Sequence, residues 1–226
     1  MSLSDAWESH AANWIVWAGT VDHDAFWRGT WPELQTVLPD PGGLVIEIGC
    51  GEGRVARELS GLGHRVVGVE RSVTLANAAR GATPPATVVR ADASRLPFPD
   101  MTADTVVACM SLHDVDDLDG TVREAARVLR PGGQLCVAMV HPFASAQDLA
   151  SLHTPEPTIT EPYLRERRYR DEVEHDGLAM TFESMHRPLG AYIASFAGAG
   201  FVLDTLREYG TKPIPWLLVA RLAKVA

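Results

Sequence analysis

At 226 residues the chain has room for one α/β domain with a full core and too little for two. Twenty basic against twenty-nine acidic residues leave a net charge of −9, which repels a phosphate backbone and sets nucleic acid aside as a partner. No run approaches the roughly 18 uninterrupted apolar residues of a membrane helix, and the first ten residues lack the basic region and apolar stretch of a secretory leader. A soluble, cytoplasmic protein is therefore expected.

Trp7, Trp14, Trp17, Trp27 and Trp31, five of the six tryptophans, fall in the first forty residues. The first three lie near one helical face, so this stretch is predicted as helices resting on the domain and ending at Pro39-Asp40-Pro41-Gly42-Gly43. Residues 44–48 then read as a buried strand, followed by a Gly-rich turn and a helix over 53–60. The unit recurs: a strand over 65–70, a helix from about 72, and strands over 87–90 and 104–110. A helix with Val122, Ala125, Ala126 and Leu129 on one face follows, and after Arg130-Pro131-Gly132-Gly133 a strand over 135–140. Repeated strand, turn and helix build a parallel sheet with helices on both faces.

Between His141 and Met185 the periodicity dissolves into charged and Pro-rich sequence, including Thr154-Pro155-Glu156-Pro157 and Glu161-Pro162-Tyr163, as in functional or mobile insertions. The basic cluster Arg165, Arg167, Arg168 and Arg170, interleaved with Glu166, Asp171 and Glu172, is read as a solvated helix face. Regularity returns with a helix over 189–199, a strand over 201–209, a turn near Lys212-Pro213 and a strand over 216–222. A connection this short makes the last two strands antiparallel.

Chemistry concentrates at the strand ends. Glu47-Ile48-Gly49-Cys50-Gly51-Glu52-Gly53 sits where the first strand turns into a helix, the place where open α/β sheets bind nucleotides, and its glycines allow close backbone approach. Glu70 ends the second strand, where a carboxylate accepts from both ribose hydroxyls. Asp92 ends the third, within reach of an adenine laid across the strand tips, and the fourth ends in Cys109-Met110-Ser111. A nicotinamide-dependent oxidoreductase shares the first two features, but its third glycine falls on Arg54, too bulky for that close approach. A binding module that keeps the cofactor turn without turnover is a further alternative.

In Val45 through Gly53, Glu70, Ala91-Asp92-Ala93 with Leu96-Pro97-Phe98, and Glu124 through Gly133, the chain resembles a class I S-adenosylmethionine-dependent methyltransferase of the small-molecule type, similar to the ubiquinone and menaquinone methyltransferases. The resemblance covers about residues 44–140. It implies one Rossmann-like α/β domain over 1–226, with a seven-stranded, mostly parallel sheet, helices on both faces and an antiparallel last strand pair. Its parts would be an N-terminal helical cap (1–40), a cofactor-binding core (41–140), a substrate-cap insertion (141–187) and a C-terminal helix with antiparallel strands (188–226). It implies S-adenosyl-L-methionine as cofactor, with Glu47, Gly49, Cys50 and Gly51 along the methionine portion and Glu70 on the ribose. Asp92, Ala93 and Arg71 would meet the adenine, and the backbone of Cys109 or Met110 the amino group.

Methyl transfer needs a nucleophile in line about 3 Å from the methyl carbon, and a general base only when the acceptor is a hydroxyl or an activated carbon. His113, His141 and His186 follow the fourth strand, the fifth strand and the insertion, and are the candidates for that base. His10, His23, His64, His153 and His175 are expected at the surface. Asp114, Asp116, Asp117 and Asp119 read as acids at a helix start, and no metal is expected. Cys50, Cys109 and Cys136 read as buried thiols. Phe143, Tyr163, Tyr169 and Phe182 are candidate walls for a small-molecule acceptor. Ser111-Leu112-His113-Asp114, where an Asn/Asp-Pro-Pro-Tyr/Phe signature would stand, argues against amide or base N-methylation.

Overall fold

The computed structural model describes residues 1–147, 159, 162–210 and 213–225. Thr154-Pro155-Glu156-Pro157, His153, Glu161 and Lys212 lie outside the described residues.

A seven-stranded sheet forms from β1 (Leu44–Ile48), β2 (Arg65–Glu70), β3 (Val88–Arg90), β4 (Ala103–Cys109), β5 (Leu129–Val140), β8 (Phe201–Tyr209) and β9 (Leu217–Lys224). Its order is β3-β2-β1-β4-β5-β9-β8. The five strands from β3 to β5 are parallel; β9 slots between β5 and β8, antiparallel to both. The expected antiparallel pairing of the last two strands is present.

Strand alternation divides the core into two layers. Ile46, Ile48, Val106, Val137 and Met139 face α5 (Leu118–Val128) and α7 (Leu189–Gly198). Val45, Val107, Cys109, Cys136 and Val219 face α2 (Trp31–Gln35) and α3 (Arg54–Gly61). With both faces covered, these strands carry the near-continuous apolar runs visible in the sequence. Cys50, Cys109 and Cys136 are buried free thiols.

The start of β5 moves. β5 begins at Leu129, not at 135: Leu129 pairs with Ala103 and Gln134 with Thr105, so Arg130-Pro131-Gly132-Gly133 bulges out within the strand opposite Asp104. Asp104 closes the bulge, accepting from Arg130 at 2.5 Å and from the Leu44 amide at 2.7 Å.

The larger difference lies in the insertion. After α6 (Pro142–Ser145), β6 (Arg167–His175) and β7 (Leu178–His186) form a hairpin, where the sequence suggested irregular chain and a basic helix face. Arg168 and Arg170 point outward, while Tyr169, Asp171 and Val173 alternate inward. The turn is Asp176-Gly177, with φ of 50° and 76°, the two-residue geometry whose twist matches that of paired strands.

The hairpin packs on α1 (Leu3–Gly19), which opens with a reciprocal cap between Ser2 and Asp5. Trp7, Trp14 and Trp17 surround Phe182 of β7 at ring distances of 6.3, 6.0 and 6.2 Å. Glu8 binds the opposite side, accepting from the Ser72 hydroxyl and from Thr74 Oγ1 at 2.7 Å, next to α4 (Val73–Gly81). The helix thereby bridges hairpin and sheet.

The Gly-rich turn rests on β2. A Cβ on Gly68, in mid-strand, would stand 2.5 Å from Cys50 Sγ and 2.8 Å from its Cβ. Gly68→Ala is expected to cost about 1–3 kcal/mol in urea unfolding through overpacking, and Cys50→Ala in the same chain to restore most of it. Additive losses would show that the contact is not the cause.

Candidate active site

A cleft of about 580 Å3 opens at the C-terminal ends of the parallel strands and runs beneath α1 and the hairpin. Glu47, Gly49, Cys50, Gly51, Glu70, Arg71, Asp92, Ala93, Cys109 and Met110 all line it. Ten positions spread over 64 residues of sequence thus meet on one surface, because parallel strands bring every strand-to-helix turn to the same edge.

Backbone geometry explains the glycines. Gly49 has φ of +68°, and a Cβ there would stand 2.6 Å from Ser111 Cβ, so a side chain is excluded by both strain and space. Ser111 in turn donates to the Ile48 carbonyl at 2.7 Å and ties the tip of β4 to that of β1. Cys50 meets the cleft beside the turn, while its side chain packs on Ala76, Ala79 and Val88.

Glu70 accepts from the Gly51 amide at 2.9 Å and the Ser72 amide at 2.8 Å, one on each oxygen, leaving a lone pair on each for further donors. Burial raises its pKa, and these backbone bonds oppose the rise. Asp92 accepts from Arg71 at 2.8 Å and from the Ser94 amide at 2.9 Å; despite partial burial its pKa stays below the ordinary value.

Glu47 is 1% exposed, and among the described residues its Oε2 has no hydrogen-bond partner. Burial, with Glu52 and Glu70 nearby, holds its pKa well above the carboxylate range. An orphaned buried carboxylate at a glycine turn is a receptor for a cationic or hydrogen-bond-donating ligand. Arg54 is already engaged: it binds Asp24 at 2.7 Å and lies over Phe26 and Trp14 at 4.0 and 5.0 Å. It stands at the first position of α3, where the dinucleotide fingerprint has a small residue for close approach, against the oxidoreductase alternative.

The three histidines do not gather. His113 lines the cleft, but burial and the Arg187 cation push its pKa down to about 4, which leaves a neutral, weakly basic imidazole. Its Nδ1 is buried without a partner among the described residues. His141 caps α6, accepting from the Phe143 amide at 3.0 Å, and its Nε2 binds Glu208 at 2.7 Å. His186 is bonded through Nδ1 to Ser145 at 2.7 Å and through Nε2 to the Tyr163 carbonyl at 2.8 Å. Neither His141 nor His186 lines the cleft, and each ring nitrogen of both is hydrogen-bonded, so the structure does not bring them together with His113. Phe143 and Tyr163 stack between these two rings and likewise leave the cleft, whereas Tyr169 and Phe182 line it as expected. His64 is buried, and the His23 ring is covered; neither is the surface residue its sequence context suggested.

Asp114 was obscured by its neighbours. Asp117 is the N-cap of α5, accepting from the Gly120 amide at 2.8 Å, and Asp116 accepts from the Leu3 amide at 2.9 Å. Asp114 instead turns into the cleft, accepting from Ser184 Oγ at 2.5 Å with His113 Nε2 at 3.7 Å. Burial pushes its pKa up to about 8; Ser184, the nearby Trp7 indole and Arg187 oppose the rise. Arg187 fixes this loop by donating to the carbonyls of Leu112 and Val115. Adjacency to His113 was the one sequence signal for Asp114, and Ser184 carried none.

The family model described as "Methyltransferase domain" matches residues 46–137. A ubiquinone/menaquinone biosynthesis C-methyltransferase of Caulobacter vibrioides is 32% identical over 50% of this chain and 52% of its own length, so the chain spans about half the length of the first curated relatives it matches. A demethylmenaquinone methyltransferase of Tropheryma whipplei is 31% identical over 71% of this chain and 72% of its own length. The chain belongs to the class I S-adenosylmethionine-dependent methyltransferases. The fold agrees: a Mesorhizobium loti S-adenosylmethionine-dependent methyltransferase superposes with a TM-score of 0.67 at 22% identity, over 86% of this chain and 97% of that one. The glycine turn, Glu47 and Glu70 are suited to this methyltransferase family's cofactor on geometry alone. Among the described residues, no helix is long and apolar enough to cross a membrane.

The raised pKa of Asp114 has a stability consequence of definite sign. Between its unfolded value near 4 and its folded value of about 8, the fold binds the extra proton, so stability falls as pH rises through that window. His113, depressed to about 4, acts in the opposite sense below about pH 6.5, while the raised carboxylates Glu47 and Glu70 act in the same sense as Asp114, so its share is the difference that Asp114→Asn makes. The urea midpoint is expected to drop between about pH 6.5 and 8 in the wild type and to stay flatter in Asp114→Asn. Parallel profiles would place the Asp114 pKa at its ordinary value.

Proposed function

We propose that the chain transfers a methyl group from S-adenosylmethionine to a small, largely apolar acceptor bearing an ionisable hydroxyl or an acidic carbon, in the cytoplasm and not on nucleic acid. The observation that carries this reading is the pairing, within one cleft, of the glycine turn and its carboxylates with an aromatic recess ending at Asp114. Its volume falls in the roughly 300–1,000 Å3 range of small-molecule sites.

On this reading Glu47, Gly49, Cys50 and Gly51 hold the methionine portion of the cofactor, and Glu70 the ribose. Asp92 and Ala93 meet the adenine with Arg71 beside it, and the Cys109 or Met110 backbone meets the amino group. When bound, S-adenosylmethionine supplies a methyl group made electrophilic by its sulfonium. Trp7, Trp14, Trp17 and Phe182 wall the recess, exclude water and favour a flat apolar acceptor. His113 lines the recess beside Asp114 as a neutral imidazole. Asp114, with a pKa near 8, takes the acceptor's proton on its carboxylate once ionised. On this reading the base is Asp114, next to His113, and not one of the three candidate histidines His113, His141 and His186. The printed names of the relatives, which act in quinone biosynthesis, support an acceptor of this class.

Calorimetry with S-adenosylhomocysteine is expected to show binding in the range of roughly 1–100 µM, weakened about tenfold or more by Glu70→Ala. Nicotinamide dinucleotides should not bind; binding of those alone would overturn the reading. With an acceptor in hand, kcat/KM should rise with pH to a plateau above about 8. Asp114→Asn should lower kcat by about 100-fold or more and remove that rise, with S-adenosylhomocysteine affinity unchanged. An unaltered pH profile in Asp114→Asn would exclude Asp114 as the base.

A further inference from the structure

At the rim of the cleft, the N-terminal region and the tip of the hairpin bring three metal-binding side chains together. His23 follows α1 and lies next to the β6–β7 turn that carries His175 and Asp176. The His23 side chain is 3% exposed, yet among the described residues neither ring nitrogen has a hydrogen-bond partner. Its ring lies between Trp17 at 4.9 Å and His175 at 4.8 Å. A buried imidazole with both nitrogens unsatisfied is costly and calls for a ligand on one of them.

The distances identify the kind of ligand. His23 Nε2 stands 3.5 Å and His175 Nδ1 3.4 Å from the same oxygen, Asp176 Oδ2, and the three donor atoms lie within 4.8 Å of one another. Both separations exceed an ordinary N–H···O bond. They agree with the spacing of about 3.3 Å between donors on a tetrahedral ion bound at about 2.0–2.1 Å. The His175 side chain is 54% exposed and Asp176 78%, so both are free to make the small closing rotation. Two imidazoles and one carboxylate select a borderline ion of the zinc type over magnesium or calcium, which prefer all-oxygen sites.

We propose that His23, His175 and Asp176 form a zinc-type site, with water in the fourth position, that clasps the hairpin tip to the N-terminal cap. No metal was expected from the sequence, where His23 stands more than 150 residues before His175 and Asp176. His23 also lines the cleft, so the ion fastens one edge of its cover. The clasp is independent of whether the cleft performs methyl transfer.

The test is competition between the full chain, stripped with chelator, and a colorimetric zinc indicator. One zinc per chain with a Kd of roughly 1 µM or tighter is expected, with no competition from millimolar magnesium. His175→Ala and Asp176→Asn, both at exposed positions and the second with a residue that tolerates the left-handed turn conformation, should each weaken binding tenfold or more, and His10→Ala should not. Zinc at about 100 times its Kd should also raise the thermal midpoint of the wild type, with a much smaller rise in His175→Ala at the same zinc concentration. Absence of saturable binding up to about 100 µM zinc, or binding that survives both hairpin substitutions, would overturn the site.

Discussion

The cleft depends on how closely the turn after β1 lies against the end of β2. Cys50 passes over β2 where Gly68 leaves no side chain, and Glu70, two residues on, reaches back to the Gly51 amide. Any extra atom at Gly68 or Gly49 would lift the turn away from the strand tips. Glu70 could then no longer serve both as a brace for the backbone and as an acceptor facing the cleft.

Around this fixed floor the cover is assembled from distant parts of the chain. Glu8 ties α1 to the start of α4, the Leu3 amide ties it to Asp116, and Asn13 donates to Ala179 on the hairpin at 3.2 Å. Each is a modest interaction, of about 1 kcal/mol for a typical hydrogen bond. The three tryptophans closed around Phe182 supply the larger apolar contact that makes them act together. The parallel sheet alone does not define the chemistry above it.

The sheet and its edge of ligand-facing turns were legible because their causes are local. Apolar runs mark strands buried on both faces, and glycines, Glu70 and Asp92 stand at fixed steps from them. The hairpin was not, since β6 alternates Arg168, Arg170, Glu172 and Glu174 with Tyr169, Asp171 and Val173, a polar strand with only half-buried partners. Its one clear sign was Asp176-Gly177, a two-residue turn signal that the charged surroundings masked. The histidines misled for a different reason: loop position places a residue near a sheet edge but says nothing about its hydrogen bonds. His141 and His186 spend both nitrogens on structure, while Asp114, beside His113, turns into the cleft.

The hairpin's two-residue turn makes the recess a matter of parity. Tyr169, Asp171 and Val173 stand opposite Ser184, Phe182 and Met180, and all six belong to the inward-facing set because the turn contains no odd residue. A single residue inserted or deleted within one strand would turn that strand over, presenting Arg168 and Arg170 of β6, or Glu183 of β7, to the interior instead. Within this hairpin, the lining of the recess is therefore free to drift by substitution, whereas changes in length are tolerated only in register-preserving pairs or beyond the strands. Lineages sharing this cover should differ in the side chains of the wall far more often than in the number of residues that build it.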